Sequence, residues 1–314
     1  MDNLIFSLNA TIPVFLLMVL GYVFRRLGLI SEALASGMNT FVFKIALPVL
    51  VFSDLAVVDF SQAWDTKFVL FCFFVTLFSI AFAGAVSFLW RDRSIQGEFI
   101  QAAYRSSAAL LGIAFITNIY GNAGMAPLMI IGSVPLYNIM AVVVLSFFQP
   151  ERKPLDRALV RKTLRDIAAN PIILGILAGL LWSALRLPMP AILQKTVTSI
   201  GGVASPMGLM AMGATFDFRK ALGKTRPAVT AAMIKLVGFC AVFLPLAVAL
   251  GFREEKLVAI LVMLGSATTV SSYVMARSMG HEGTLSASTV MLTTLFSAFT
   301  LTFWLWLMRS LGYI

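Results

Sequence analysis

With 314 residues, 60% of them apolar and 12% charged, the chain has a mean hydropathy of +0.93, outside the range of ordinary soluble domains. The cations behind its formal charge of +10 sit mostly in a few short connections between apolar runs, a distribution that argues against nucleic-acid binding. Cys72 and Cys240 fall in different apolar segments without metal-type spacing and read as small core hydrophobes.

Ten apolar spans are predicted, over 8–27, 35–57, 67–90, 99–120, 124–148, 170–187, 196–216, 227–251, 256–279 and 284–309. A bilayer core needs roughly 20 helical residues per crossing, and backbone in hydrocarbon must satisfy its own hydrogen bonds, so these are helices rather than barrel strands. The first span lacks a basic leader and a small-residue cleavage site, which predicts a retained helix. The remaining loops leave no room for a separate soluble domain.

The first half recurs in the second. Pro13, Gly21, Pro48, Asp59 and Phe60 each find the same residue 158 positions on, at Pro171, Gly179, Pro206, Asp217 and Phe218. The division is therefore 1–148, a basic linker 149–169, and 170–314. Arg157, Arg161, Lys162 and Arg165 recur in the linker at helical spacing, as on a surface-lying amphipathic helix. Alternate loops hold fifteen Lys and Arg against six on the other side. The positive-inside rule puts the richer set in the cytoplasm and both termini outside, so two five-helix halves are inverted relative to each other.

Helix breakers occupy matching places. Pro48 interrupts the second span, and Gly201, Gly202 and Pro206 the seventh. Mid-span Ser106, Ser107 and Gly112 in the fourth, and Gly265, Ser266, Thr268, Thr269, Ser271, Ser272 and Tyr273 in the ninth, weaken those helices and supply hydroxyls. They suit either presentation of helix-end dipoles to an anion or close small-residue packing. Lys44, Arg105 and Lys235 lie inside apolar spans, near enough to the cytoplasmic ends to snorkel. A cationic vestibule would suit an organic anion.

IPVFLLMVLGYVFRRLGLIS from Ile12 and FKIALPVLVFSDLA from Phe43 resemble the auxin efflux carrier family, which includes plant auxin exporters and bacterial permeases for malate and malonate. NPIILGILAGLLW from Asn170 and YVMARSMG from Tyr273 are similar to its second-half signatures. The resemblance covers nearly the whole chain. It implies an all-α membrane protein of ten helices in two inverted five-helix repeats, related in fold to bile-acid sodium symporters. It further implies that helices four and nine are broken and cross. Helices one, two, six and seven then form a scaffold, often dimeric, against which the rest moves like an elevator. This chain departs from the family at the crossing, where Ser107, Ala108, Ala109, Gly112 and Ala114 stand in place of an Asn-Thr-Gly and Gly-x-Pro pattern, and Ala267 in place of a proline.

The expected function is secondary transport of a small organic anion by alternating access. Ser106, Ser107, Gly112, Thr268, Thr269 and Ser271 would form the site at the crossing. Tyr137 and Asn138 would approach from the fifth span and Ser53 from the scaffold, with Pro48, Pro206, Gly265 and Ala267 shaping the breaks. The alternative is a transport-inactive sensor or assembly protein on the same fold. No cofactor is expected. Coupling to sodium would use carbonyls and hydroxyls, and coupling to protons has Asp54 as its best carboxylate. Gly223-Lys224-Thr225 lacks the upstream glycine of a phosphate-binding loop, Phe218 standing there. His281 is expected in a solvated loop, and no catalytic constellation accompanies it, so the chain does not read as an enzyme. Partners are the anion, membrane lipid and a second copy.

Overall fold

The computed structural model describes residues 2–56, 64–108, 115–117, 119–121, 124–149, 161, 164–165 and 167–314, with backbone alone at 2–7 and 9–11. All regular structure among them is helical. In chain order the helices are α1 (Asp2–Arg26), α2 (Glu32–Ala56), α3 (Thr66–Ser87), α4 (Arg93–Tyr104), α5 (Ala126–Phe147) and α6 (Pro171–Ala184). There follow α7 (Ala191–Thr215), α8 (Thr225–Ala249), α9 (Glu254–Gly265), α10 (Ser271–Ser278) and α11 (Thr284–Ser310), with a short helix Phe218–Gly223 before α8.

Local chemistry sets the helix starts. Ser31 accepts from the Leu34 amide, Asp65 from Phe68 and Asn170 from Ile172, each satisfying an amide that the first turn leaves unpaired. Pro171 then occupies the first helical position, where its missing N–H costs nothing. Asp217 receives the amides of Arg219 and Lys220 in the same way. Its repeat partner Asp59 lies outside the described residues, as do Phe60 and most of the linker 149–169.

Among the described residues six helices are long and apolar enough to cross a membrane: α2, α3, α5, α7, α8 and α11. Along α3, Leu70, Phe74, Phe78 and Phe82 are all exposed at four-residue spacing. An exposed stripe of large apolar side chains is unfavourable in water and favourable against lipid. The opposite side of the same helix buries Phe68, Phe71, Cys72 and Val75 in the core.

The halves interlock through glycine. α1 packs on the second part of α7, and α6 on the second part of α2. A Cβ on Gly179 would lie 2.9 Å from the Phe52 carbonyl, and one on Gly175 2.5 Å from that of Pro48. Gly21 meets the Met210 carbonyl in the same fashion. Gly21 and Phe52 stand 158 positions before Gly179 and Met210, so the sequence repeat is a repeat of one helix contact. Only a residue without a side chain lets two backbones approach this closely.

α1, α2, α6 and α7 thus form one interlocked group. α3, α4 and α5 pack on one another, α8 packs on α4, α9 and α11, and α11 joins the groups by lying along α1. Pro48 does not break α2. The helix continues through it, widened into a π-turn over Val42–Ala46 that absorbs the ring's conflict with the preceding turn. In α7 the irregularity sits at Val203, and Pro206 falls in the first turn of the segment beyond, where it is tolerated.

Candidate functional site

α4 ends at Tyr104, and Arg105 turns extended (φ −72°, ψ 138°), with Arg105–Ser107 outside any helix. α9 ends at Gly265, and Ser266 turns extended in the same way (φ −71°, ψ 159°) before α10 starts at Ser271. The two breaks are bonded to each other. The Ser107 amide donates to the Ala267 carbonyl at 3.0 Å, Thr268 Oγ1 to the Ala102 carbonyl at 2.8 Å, and Gln101 Nε2 to the Ser272 carbonyl at 2.7 Å. The Thr268 amide donates to Thr293 Oγ1 of α11 at 3.0 Å. Polar backbone at this depth is satisfied by protein rather than by lipid.

Two cations sit where these helix ends meet. Neither Arg105 nor Lys235 snorkels; their relative exposures are 2% and 0%. One Arg105 terminal nitrogen donates to Asn138 Oδ1 at 2.8 Å and to Ser271 Oγ at 2.7 Å, and the other lies 2.8 Å from Met275 Sδ. Lys235 Nζ donates to the Leu264 carbonyl at 2.6 Å and contacts Ser106 Oγ. Carbonyls at a helix C-terminus carry partial negative charge, which favours cations there. Among the described residues neither cation has an acidic ion-pair partner; the pairs present are Arg25–Glu32, Lys220–Glu282, Lys224–Glu282 and Lys256–Asp65. By contrast Lys44 is exposed, in keeping with a side chain that reaches the membrane surface.

A hollow of about 60 Å³ opens beside Arg105, enough for a few waters. It lies between the two helix groups. Asp54 of α2 and Ser205 of α7 line it from one, and Arg105, Tyr137, Asn138 and Ser271 from the other. At the basic end of the molecule a larger cavity of about 940 Å³ is lined by Arg25, Arg26, Arg219, Lys220 and Arg277 against Glu32, Asp217 and Glu282. A neighbouring space of about 530 Å³ adds Lys44 and Asn39. Tyr273 lines both larger spaces and Ser271 the small hollow, so α10 runs from one to the other.

Of the residues singled out in the sequence, Ser106, Ser107, Tyr137, Asn138, Thr269 and Ser271 all line the small hollow. Thr268 is turned to α4 and α11 by its hydrogen bonds, and Ser53 is not among the lining residues although its neighbour Asp54 is. Gly112 lies outside the described residues. Gly265 ends α9 against Cys240, and Ala267 supplies the carbonyl that Ser107 reaches. Ser205 carried no signal beyond adjacency to Pro206. His281 is buried rather than solvated, its Nε2 lying 2.9 Å from the Leu145 carbonyl.

Charged side chains are thus buried at the junction of two interrupted helices that are bonded to each other. The family model described as "Membrane transport protein" matches residues 6–305. The chain belongs to that family, the one that includes the auxin efflux carriers. It is a multi-pass membrane protein of a transporter family, not of an enzyme family. A protein of Rhizobium meliloti (strain 1021) named "Putative malonate transporter" is 26% identical over 308 residues, covering 95% of each chain. A protein of Methanothermobacter thermautotrophicus named "Uncharacterized transporter" is 23% identical over 221 residues, 68% of this chain and 69% of its own.

Proposed function

We propose that this member of the membrane transport protein family is a secondary carrier of small carboxylates, and that Arg105 binds the carboxylate. The observation that carries the reading is a buried guanidinium on the wall of a hollow of mixed lining, with no acidic ion-pair partner among the described residues. Burying a charge is costly unless an opposite charge compensates it, and a dianion of malonate type provides one while matching the planar fork of arginine. The similarity to a protein named as a malonate transporter supports this choice of class.

The proposed cycle is alternating access between two inverted five-helix halves, 1–148 and 170–314, joined by the basic linker 149–169. The group α1, α2, α6 and α7 is the scaffold and the site of dimerisation. The group holding both breaks is the moving body. The protein resides in the cell membrane with both termini outside, so the basic cavities face the cytoplasm and concentrate anions there. Asp54, lining the same hollow, is the group that would exchange a proton as substrate arrives and leaves.

The test is flux of radiolabelled malonate in proteoliposomes. Saturable flux is expected, and Arg105→Gln should weaken apparent affinity at least about 30-fold, the equivalent of about 2 kcal/mol for a buried charged partner lost. Saturable flux with affinity unchanged by Arg105→Gln would overturn the site. Tight malonate binding with no flux would favour the sensor.

A further inference from the structure

Lys235 has no part in the carboxylate site, yet its surroundings are built around its charge. Nζ lies 2.6 Å from the Leu264 carbonyl, 3.4 Å from those of Met263 and Tyr104, and in contact with Ser106 Oγ. Three of these four oxygens are carbonyls at the ends of α4 and α9, and the fourth belongs to the break itself. Ser106 donates its own proton to the Met263 carbonyl, which leaves a lone pair facing the ammonium. Lys235 sits in a π-turn, Ile234–Gly238, within a membrane-crossing helix. The head group is wholly buried and has no acidic partner among the described residues.

Four neutral oxygens converging from two helix ends make a coordination shell for a monovalent cation such as sodium. We propose that the Lys235 ammonium is a covalently tethered replacement for that cation. It holds the two breaks together permanently and frees the transport cycle from sodium at this position. Snorkelling does not account for the amine, since it reaches no solvent. An ion pair does not account for it, since no carboxylate among the described residues meets it.

The inference rests on the carrier reading only for its consequence for flux, so its first test needs no substrate. Apparent melting temperatures of the purified full-length protein are compared in sodium, methylammonium and choline chloride at equal concentration. Wild type should melt alike in all three. Lys235→Ala should melt lower in choline and rise by roughly 2–4 °C in sodium or methylammonium at about five times the dissociation constant. Lys235→Met, whose chain refills the space without charge, should show no such rise.

A Lys235→Ala protein indifferent to small cations would overturn the proposal. So would a wild type that gains as much from sodium as the variant does, or a Lys235→Ala chain that folds in no salt while Lys235→Met folds and transports normally. Malonate flux into wild-type vesicles should be equal in sodium and choline, and a saturable sodium requirement would also overturn it. A wild type without malonate flux, beside a cation-responsive Lys235→Ala, would sink the carboxylate reading alone.

Discussion

Ser107 and Ala267 share a backbone hydrogen bond of 3.0 Å, so the unwound residues after α4 and after α9 are tied directly to each other. Neither residue is proline, and the tie depends on that at Ser107, whose N–H is the donor. The polypeptide keeps the two interruptions in register by main-chain bonding, with Thr268 and Gln101 adding side-chain bonds on either side.

Ser107→Ala should therefore leave the junction standing, with apparent melting temperature close to wild type. Ser107→Pro removes the donor and leaves the buried Ala267 carbonyl unpaired, a cost of about 1–3 kcal/mol. Thermal unfolding of the two variants in detergent checks this; equal melting temperatures would show that the bond contributes nothing.

The glycine contacts predict opposite signs for one substitution. Gly179→Ala forces the α6 backbone away from the Phe52 carbonyl and should destabilise by about 1–3 kcal/mol. Gly84→Ala in α3 meets nothing within 4 Å and should be neutral or stabilising by up to about 1 kcal/mol, from helix propensity alone. Melting curves for the pair give the comparison.

Asn39 of α2 donates to Ser278 Oγ of α10 at 3.0 Å, and Thr215 of α7 contacts the Tyr273 hydroxyl of α10. These bonds join the proposed scaffold to the proposed moving body. In an elevator they must break in every cycle. Asn39→Cys with Ser278→Cys, bridged by mercuric ion, should stop flux, and excess thiol should restore it. Full activity in the bridged protein would show that α10 does not move against α2.

Glu282 receives Lys224 and Lys220, which hold its carboxyl below the usual carboxylate range, the Lys224 hydrogen bond contributing most. A depressed folded-state pKa adds stability that is complete above the unfolded value, about 4.3 for glutamate, and is lost as pH falls through the folded value. Melting temperature should fall more steeply below that pH in wild type than in Glu282→Gln. Glu282 is 45% exposed, so the effect should shrink further in high salt. Identical acid profiles would remove Glu282 from the account.

Much of the site was legible as composition. Clustered Ser and Thr after Gly265 marked the second interruption, because such residues weaken a helix and bond to backbone. Which hydroxyls would face the hollow was not legible. Thr268 and Thr269 are neighbours, yet only the latter lines it, since an unwound segment has no fixed periodicity to read. Arg105 and Lys235 stood out as intramembrane cations, and the same long side chains could equally have reached solvent. Their burial follows from carbonyls of α9 and polar groups of α5 and α10, more than thirty positions away for Arg105 and twenty-eight or more for Lys235.

The sequence by itself determined that this chain belongs in lipid, that hydroxyl-rich stretches interrupt two of its apolar runs, and that residues recur 158 positions on. Apolar run length, clustered Ser and Thr and a 158-residue recurrence are local or one-dimensional signals. Only the tertiary structure decided that Pro48 widens a helix it was expected to break, that α4 stops at Tyr104, and that two cations without an acidic partner among the described residues lie buried at the junction. Those outcomes depend on which distant carbonyls and hydroxyls come within 3 Å of a given atom, and a linear chain does not encode that until it is packed.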